Sequence, residues 1–511
     1  MKLIHNKIFK TYLLILTITF AACSEIEEFE PSEENMETEV SKLAVQFRPS
    51  TYYKAPISPI RVKFSGSSSA DLRKLINQNS STDGNGVIIE IPKKTYTWSR
   101  IALKSNVHLE IEGGTTIKME GTKGFIFGIG SSKKGDRVKN VSISGKGGNK
   151  FNVDISSANL SNKNIAVIKI GRVDNFRVGD FNIKDRRSIL NSILLSHITG
   201  SPEKTPGAKD GVVENITQTG AHTGYGLVQT YNARNILFKD LECTGGVTLR
   251  LETDDRGMKA ELKNGSKKGG VRNIFAHNII NNEGLTSLMF SPHFVQNGKV
   301  TARKIVSNGA GFAIRSENGS IEVFDKNKRF PITDAGRVEF ANFITGHLSN
   351  LPANASPFDG NPYQRNNGTQ WAVKLSVAGL NADRSQYIKD QIGDLRGGTF
   401  VNAKVSDVTA NYGSNAKLKQ KHLKYIPCND WSRIKNPDTS LGLFNGFEYH
   451  GPAVGLSVGG DGTNGNYRVQ ISGQRFIGFP NGYIKNVGEN TGTVCGNDPN
   501  TIQKYDAPYP N

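Results

Sequence analysis

The stretches ARNILFKDLECTGG, residues 233–246, and VRNIFAHNIINNEG, residues 271–284, follow one plan. Each has a short apolar strand, a polar turn, a second strand and a closing turn that contains glycine. An asparagine followed by an apolar residue recurs at Asn140, Asn175, Asn215, Asn235 and Asn273. The gaps of 35, 40, 20 and 38 residues are close to one or two multiples of a unit near 20. Such a drifting period predicts stacked coils, each burying its apolar face on its neighbours.

The sequence therefore predicts an all-β protein, folded as a right-handed parallel β-helix. Glycine is abundant, with 55 residues among 511, which suits many turns between short strands. A β-sandwich would also contain short strands, but it would not bring the same asparagine back at coil spacing.

A capping helix is predicted before the first coil. Residues 68–86, SSADLRKLINQNSSTDGNG, place Leu72, Leu75 and Ile76 at helical spacing after Ser and Asp capping residues. Such a helix would cover the open apolar end of the solenoid. Together with GVIIEIPKKTYTW, residues 86–98, it resembles the opening of the pectin-lyase-like superfamily.

The coil pattern breaks twice, which predicts two smaller domains inserted into one solenoid. The first break contains two helix-like segments, TDAGRVEFANFIT at 333–345 and NADRSQYIKDQI at 381–392, and the second is rich in Lys and then Gly. The predicted organisation is a lipoprotein signal peptide at 1–22, an acidic tether at 23–58, the β-helix at 59–317, an inserted α/β domain at 318–397, a β-helix coil at 398–412, a second inserted domain at 413–475, and the last coil with a C-terminal tail at 476–511.

The N-terminus has the features of a targeting segment. Three lysines precede an apolar run at 12–20, which is too short for a bilayer core that needs about 20 residues. The following AACS resembles a bacterial lipobox, in which Cys23 becomes lipidated; an ordinary secretory signal is the alternative. We expect an outer-membrane or cell-surface lipoprotein, or a secreted protein, that meets the membrane only through its lipid anchor.

The charge of the body predicts a polyanionic partner. Residues 1–42 hold four of the 64 basic and eight of the 46 acidic residues, so the chain from residue 43 onward carries a formal charge of +22. A secreted protein has little access to nucleic acid, so an anionic glycan is the better partner. The alternative is a cationic surface without a partner. A monomer is expected.

The four cysteines do not suggest a metal site. Cys243 lies in a predicted strand as a small buried hydrophobe, and Cys428 and Cys495 can pair in an oxidising compartment. We expect no required cofactor, and a structural calcium, sodium or chloride ion is left open.

The stretch GGVTLRLETDDRG, residues 245–257, contains the candidate catalytic strand. Its alternation puts Val247, Leu249 and Leu251 on one side, and Thr248, Arg250, Glu252 and Asp254 on the other. Glycosidases need two carboxylates, one protonated and one ionised, and this row supplies them. A solvated charge cluster is the alternative interpretation.

Neighbouring coils would complete a site around this row. Gln229 lies 23 residues before Glu252, one coil below it, and His293 falls on or near the coil above. Stacked strands are roughly 4.8 Å apart, so an amide and an imidazole would lie beside the carboxylates. These groups can position water and sugar hydroxyls.

The segment HTGYGLVQTYNARNILFKDLECTGGVTLRLETDD, residues 222–255, strongly resembles the iota-carrageenases of glycoside hydrolase family 82. These are β-helix enzymes that carry extra domains inserted towards the C-terminal part. The resemblance implies Glu252 as proton donor and Asp254 as general base, with Gln229 supporting the catalytic water or an ion beside it. It also implies that Gly224, Tyr225 and Arg250 shape the substrate cleft.

Two further residues follow from the resemblance. The active-site histidine of the family maps best to His293, with His277 as the competitor because the segment after residue 252 contains indels. A carboxylate from the first insertion is expected over the cleft, and Glu317 is the candidate.

The resemblance implies an endo-acting hydrolase that cleaves the β-1,4 bonds of iota-carrageenan with inversion. This polymer carries two sulfates per disaccharide and no uronic acid, so it matches a basic protein and leaves hydrolysis rather than β-elimination. A polysaccharide lyase or polygalacturonase-like hydrolase on the same fold remains the nearest alternative, and a non-catalytic glycan-binding surface lipoprotein is another.

The row also carries an electrostatic expectation. Glu252 needs a raised pKa to act as an acid, and the negative charge of Asp254 beside it would help. Arg250 would lower that pKa, so it is expected to turn towards a substrate sulfate rather than towards Glu252.

Overall fold

The computed structural model of the protein describes residues 45–80, 85–131, 137–156, 164–196, 207–253, 270–293, 295–346, 362–365, 368–376, 398–435, 448–458 and 467–488. The chain divides into two compact units, Met1–Arg48 and Pro49–Asn511, and the second contains every helix and strand named below. The α-helices are α1 (Pro49–Tyr52), α2 (Ser69–Asn79) and α3 (Asp334–Gly346), and the 3-10 helices are Lys146–Gly148, Gln420–Tyr425 and Cys428–Arg433.

The strands, in chain order, are β1 (Ile60–Lys63), β2 (Val87–Ile91), β3 (Thr95–Trp98), β4 (Ile101–Leu103), β5 (Val107–Ile111), β6 (Thr116–Met119), β7 (Gly124–Ile129), β8 (Val138–Gly145), β9 (Phe151–Asp154), β10 (Ile165–Ile170), β11 (Val173–Lys184), β12 (Ile193–Leu195), β13 (Ala208–Thr219), β14 (Gly226–Thr230), β15 (Ala233–Thr244), β16 (Val247–Glu252), β17 (Val271–Asn282), β18 (Thr286–Ser291), β19 (Gln296–Asn297), β20 (Val300–Asn308), β21 (Phe312–Ser316), β22 (Ser320–Phe324), β23 (Tyr363–Arg365), β24 (Gln370–Ser376), β25 (Thr399–Phe400), β26 (Ala403–Asn411), β27 (Ala416–Leu418), β28 (Tyr449–Gly451), β29 (Gly455–Val458), β30 (Gln470–Ile471), β31 (Gln474–Ile477) and β32 (Asn486–Gly488).

Two long sheets of parallel strands form the body. The first sheet has fifteen described strands, and its main path runs β1, β2, β5, β8, β11, β13, β15, β17, β20, β26, β30. The second sheet has ten, in the order β4, β7, β10, β12, β14, β16, β18, β21, β29, β32. From β10 to β18 the chain alternates between the sheets, and each return adds a parallel strand beside the previous one. This is a parallel β-helix, so the predicted fold class is confirmed.

Left-handed Asn and Asp residues turn the chain at a corner of several stacked coils. The backbone φ is 53° at Asn140, 56° at Asn175, 51° at Asp210 and 60° at Asn235. The side-chain amide of Asn140 donates to Asn106 at 2.8 Å, and that of Asn175 donates to Asn140 at 2.9 Å. Short polar side chains tolerate this conformation, and stacking gives their amide groups hydrogen-bond partners, which explains why asparagine recurs at this position.

Asn215 belongs to a different corner from the other recurring asparagines. It donates to the Oδ1 of Asp180 at 2.9 Å, within a second ladder further along the long strands. At the first corner of this coil the chain has Asp210, which accepts from Asn235 at 2.6 Å. Counting Asn215 between Asn175 and Asn235 was therefore wrong, because it joined two corners into one series.

The solenoid interior is one continuous apolar core closed by the predicted helix. Helix α2 begins with a capping box in which Ser68 and Asp71 satisfy each other's backbone N–H groups. Leu72 and Ile76 on its inner face are fully buried and join the core of the coils. The capping helix is thus confirmed.

The first insertion contains both helix and sheet. Strands β22, β24 and β23 form an antiparallel sheet, and α3 packs Phe340 and Ile344 into the interior. The pattern at 333–345 falls on α3, while the second helix-like pattern, at 381–392, lies outside the described residues.

The second insertion is shorter than predicted. Strands β27 and β28 pair antiparallel, and with the two later 3-10 helices they form a second apolar cluster against the coils. Coil strands return at Gly455, where β29 joins the second sheet, and β30 and β31 then join the first. The predicted range 413–475 was wrong at its end, because strands of two to four residues in a Gly-rich stretch show no apolar alternation.

Three further predictions concern the termini and cysteines. The predicted signal peptide, Cys23 and Cys495 lie outside the described residues. Cys243 is buried with a free thiol, and Cys428 is disulfide-bonded. The pairing of Cys428 with Cys495 stays a prediction.

Within the described ranges, no helix has the length and apolar character needed to cross a membrane.

Candidate active site

The candidate site lies on the outer face of the second sheet. Cross-strand pairing puts Gln229 of β14 beside Arg250 of β16, then Met289 of β18 and Arg315 of β21. Glu252, two residues after Arg250, faces outward one row further along and pairs with Ser291. The parallel register of the coils therefore gathers residues that are far apart in sequence.

Three side chains hold the Glu252 carboxylate. The Gln229 amide donates to Oε2 at 2.7 Å, and His293 Nε2 lies 3.1 Å from Oε1. The Nε atom of Arg250 lies 2.6 Å from Oε2. Glu252 is 8% exposed, so the carboxylate is nearly enclosed but still opens to the outer face. The structure brings together three predicted catalytic residues and a predicted cleft residue.

Glu252 is ionised in the protein without substrate. Burial alone would raise its pKa, but the Arg250 charge and the hydrogen bond from His293 outweigh burial and lower the pKa to about 2. Contrary to the expectation, Arg250 faces Glu252 in this structure rather than turning away from it. The two side chains lie two residues apart on one face of the strand, so the nearly buried guanidinium of Arg250 pairs with the Glu252 carboxylate beside it.

The predicted cleft residues Gly224 and Tyr225 lie beside Arg250. The Gly224 carbonyl accepts from Arg250 Nη1 at 2.6 Å, and the Gly224 N–H donates to His222 Nδ1 at 2.9 Å. Burial lowers the pKa of His222 to about 4, so its ring is neutral at pH 7. The Tyr225 ring packs edge-on against His222, with the ring centroids 5.3 Å apart. This turn therefore holds the Nη1 end of the Arg250 guanidinium, whereas the Nε atom lies beside Glu252.

The two candidate histidines are on different faces. His293 follows β18 in a left-handed conformation, with φ of 48°, and its ring reaches Glu252. His277 lies within β17 of the first sheet, where it pairs with Lys239 and Arg303 on neighbouring strands. Only His293 is in contact with the candidate acid.

Glu317 belongs to the coil rather than to the first insertion. Its backbone N–H donates to the Phe290 carbonyl at 2.9 Å, so the residue continues the second sheet beyond β21. Its carboxylate accepts from the Ser291 hydroxyl at 2.6 Å and pairs with Arg315. The expectation of a carboxylate extending from the first insertion therefore does not fit Glu317.

Tyr467 was not found by sequence reasoning. Its hydroxyl donates to the Glu317 carbonyl at 2.7 Å and lies 3.0 Å from the Ser316 hydroxyl. The ring packs on Phe400 with the centroids 5.5 Å apart. No local motif marks Tyr467, because it follows a Gly-rich stretch and reaches the Glu317 backbone from the solenoid core only through the fold.

The first part of the candidate catalytic strand, β16, departs from simple alternation. Val247 belongs to the second apolar cluster with Met289, whereas Leu249 and Leu251 are in the solenoid core. Thr248 donates inward to the Ile280 carbonyl at 2.7 Å. Placing Val247 with the inward leucines and Thr248 with Arg250 was wrong, because the second insertion covers the start of the strand. Asp254, the predicted base, lies outside the described residues.

A buried charge cluster joins the second insertion to the coils beside this turn. Glu448 is 2% exposed and contacts Arg187 at 2.6 Å, Lys417 at 3.3 Å and the Thr223 hydroxyl at 2.9 Å. Burial works against its charge, but the hydrogen bond from His450 and the nearby cations outweigh burial and lower the pKa of Glu448 to about 2. The cluster fixes the second insertion next to the turn that carries Gly224.

The described residues contain no group of three or more His, Cys, Asp or Glu side chains placed to hold a metal ion. The site as described is made of acid, amide, imidazole and guanidinium groups. Such a set can hold and exchange protons at a carboxylate and can bind an anionic group of a ligand.

Comparison with known proteins found close relatives, although no protein-family model matches the chain. The chain is 39% identical over 510 residues to a protein from Zobellia galactanivorans named iota-carrageenase, covering 95% of this chain and 96% of that one. It is 30% identical to a solved iota-carrageenase complexed to iota-carrageenan fragments, with a TM-score of 0.72 and coverage of 88% and 95%. It is also 30% identical to a family GH82 iota-carrageenase from A. fortis solved without chloride ions, with a TM-score of 0.73 and coverage of 88% and 94%.

Proposed function

The chain belongs to the iota-carrageenases of glycoside hydrolase family 82, and from this membership we propose that it hydrolyses β-1,4 bonds at internal positions of the iota-carrageenan polymer. The observation that carries the proposal is the nearly enclosed Glu252 carboxylate, held by Gln229, His293 and Arg250 on the outer face of the second sheet. The solved relative bound to iota-carrageenan fragments supports the same substrate class.

Glu252 must gain a proton before it can act as the acid. In the substrate-free protein the pKa of Glu252 is about 2, largely because the Arg250 charge overcomes the effect of burial. A substrate sulfate offers Arg250 a second anion whose oxygens match the guanidinium fork. When Arg250 turns to the sulfate, the largest influence that lowers the pKa of Glu252 is removed, so the pKa rises and binding of the sulfated substrate favours the protonated acid.

The bond change then needs one proton donor and one acceptor. Glu252 gives its proton to the leaving glycosidic oxygen, and the bond from that oxygen to the anomeric carbon breaks. A water attacks the anomeric carbon from the opposite face and passes its proton to Asp254, the proposed base. Gln229 and His293 each bond one oxygen of Glu252, so they orient the acid, and Gln229 also reaches the position of the water in this proposal.

The stereochemical outcome tests the pairing of Glu252 with Asp254. Side chains two residues apart on a strand are separated by about 6.5–7 Å, which leaves room for a water between the carboxylates and corresponds to inversion. We expect the first turnovers, followed by proton NMR, to release the new galactose reducing end as the α anomer. Early appearance of the β anomer would make Asp254 a nucleophile, and ultraviolet-absorbing unsaturated ends would indicate a lyase.

Electrostatic capture predicts a strong dependence on salt and sulfate. The body of the chain carries a formal charge of +22, and Debye screening shortens from about 10 Å at 0.1 M salt to about 3 Å at 1 M. The rate on iota-carrageenan should therefore fall as ionic strength rises, and desulfated galactan should not be cleaved. Equal rates on the sulfated and desulfated polymers would remove this argument.

We also propose that the enzyme is held at the bacterial cell surface through lipidated Cys23. The support comes from the sequence alone: three lysines, a short apolar run, small residues before Cys23 and an acidic tether after it. The substrate is a polymer that cannot enter the cell intact, which suits an enzyme held outside.

A further inference from the structure

A cavity of about 170 Å³ lies on the same outer face as Glu252, towards the N-terminal coils. Phe125 of β7, Lys169 of β10 and Ser196 after β12 surround it, and glycines 128, 130 and 171 form its floor. None of these residues contacts the Glu252 carboxylate, and none was singled out by its sequence pattern. The cavity is therefore a separate feature of the catalytic face.

The glycines keep this cavity open. A Cβ atom at Gly128 would come within 2.9 Å of the Phe125 ring, which lies over that position. Gly130 has a left-handed φ of 68°, and a Cβ atom there would come within 2.2 Å of the Arg172 carbonyl oxygen. No side chain fits at either position without moving its neighbours, so both positions require glycine and add no side chain to the cavity.

The groups around the cavity suit a sulfated sugar. The Phe125 ring is half-buried and offers an apolar platform for the C–H face of a pyranose. Lys169 is half-buried and has no ion-pair partner among the residues that the structure describes, so its ammonium is available to a sulfate. The Ser196 hydroxyl is buried and makes no hydrogen bond within the described part of the chain, so it can bond a sugar hydroxyl.

The cavity is in line with the site of cleavage. Lys169 pairs with Leu194 on the next strand, Leu194 with Gln229, and Gln229 with Arg250, so all four occupy one row across the second sheet. Three strand spacings separate Lys169 from Arg250, about 14 Å. A sugar unit of an extended galactan is comparable in length to one strand spacing. A polymer lying along the row would therefore place a unit about three sugars from the cleavage point over Lys169.

We propose that Phe125, Lys169 and Ser196 form a distal subsite for a sulfated galactan unit, which strengthens the binding of long substrates without touching the reacting bond. This proposal rests on the proposed function, because it uses the same polymer on the same face. It makes substrate length a determinant of rate. Short fragments that end before Lys169 would be cleaved without help from the subsite.

The test compares Lys169→Gln with Lys118→Gln on a series of purified iota-carrageenan oligosaccharides of increasing length. Lys118 is an exposed lysine on β6 of the first sheet, so its replacement removes the same charge away from the catalytic face. We expect Lys169→Gln to lower kcat/KM about 10-fold on long substrates, the loss of one charge-assisted hydrogen bond. The shortest cleaved substrate should be unaffected, and Phe125→Ala should show the same length dependence.

The outcomes of this test distinguish a failure of the proposed subsite from a failure of the proposed function. If the wild-type protein cleaves iota-carrageenan but Lys169→Gln behaves like Lys118→Gln at every length, the subsite is wrong and the function stands. An equal loss on the shortest and longest substrates also overturns the subsite, because it would reflect a general change in charge or folding. If the wild-type protein cleaves no iota-carrageenan, both proposals fail.

Discussion

Replacing Glu252 by Gln is expected to lower kcat on iota-carrageenan by about 100- to 10,000-fold, the range that a general acid contributes. The amide has no acidic proton to give to the leaving oxygen, and its single oxygen can keep only one of the contacts that Gln229 and His293 make with the two carboxylate oxygens. Polymer binding should be retained, because the change releases Arg250 from its ion pair and leaves it for a substrate sulfate. Initial rates and a binding isotherm on the same polymer measure the two effects.

The matched control is Glu339→Gln, which removes an exposed carboxylate from α3. It should leave both rate and binding unchanged. Asp254→Asn should match the loss seen with Glu252→Gln, because a water without its base attacks slowly. Near-normal turnover by Glu252→Gln would exclude Glu252 as the acid, and a thermal unfolding curve would show whether a low rate reflects misfolding instead.

Replacing Glu448 by Gln is expected to cost about 3–5 kcal/mol of stability, the range measured when one partner of a buried ion pair is removed. The change leaves the partly buried charges of Arg187 and Lys417 without their shared anion. Denaturant unfolding at pH 7 measures the loss, again against Glu339→Gln. Adding Arg187→Gln to the variant should recover part of the stability, because it removes one of the charges left unpaired.

The same cluster predicts a pH dependence. The pKa of Glu448 is about 2 in the folded protein, below the value of about 4.3 in an unfolded chain. Its contribution is therefore fully present above about pH 4.3 and is lost as the pH falls through about 2. The stability difference between the wild-type protein and Glu448→Gln should shrink over that interval. A difference that stays constant from pH 7 to pH 2 would show that Glu448 contributes by packing rather than by charge.

Much of the fold could be predicted from the sequence because its signals are local. The asparagine recurs because a left-handed corner favours a short polar side chain, and stacking repeats that corner from one coil to the next. The capping helix could be predicted because Ser68, Asp71, Leu72 and Ile76 carry a complete start signal and one apolar face. Strand alternation likewise placed Arg250 and Glu252 together on the outer face.

The choice of partners was decided by the tertiary structure. Loop lengths between coils vary, so sequence spacing could not separate His293 from His277, whereas strand register puts only His293 beside Glu252. The pairing of Arg250 with Glu252 depends on how deeply both are buried, which a strand pattern does not report.

The contacts between residues farthest apart in the sequence could not be predicted from any local pattern. Glu448 reaches Arg187 across 261 residues, and Tyr467 reaches Glu317 across 150, in stretches without apolar periodicity. Lys169 and Phe125 border one cavity because two parallel strands and a glycine between them leave it open. The sequence thus determined the coils and the candidate catalytic strand locally. The charge states of the site residues depend on burial, and the neighbours of those residues depend on strand register. Both arise only when separate coils and insertions pack together.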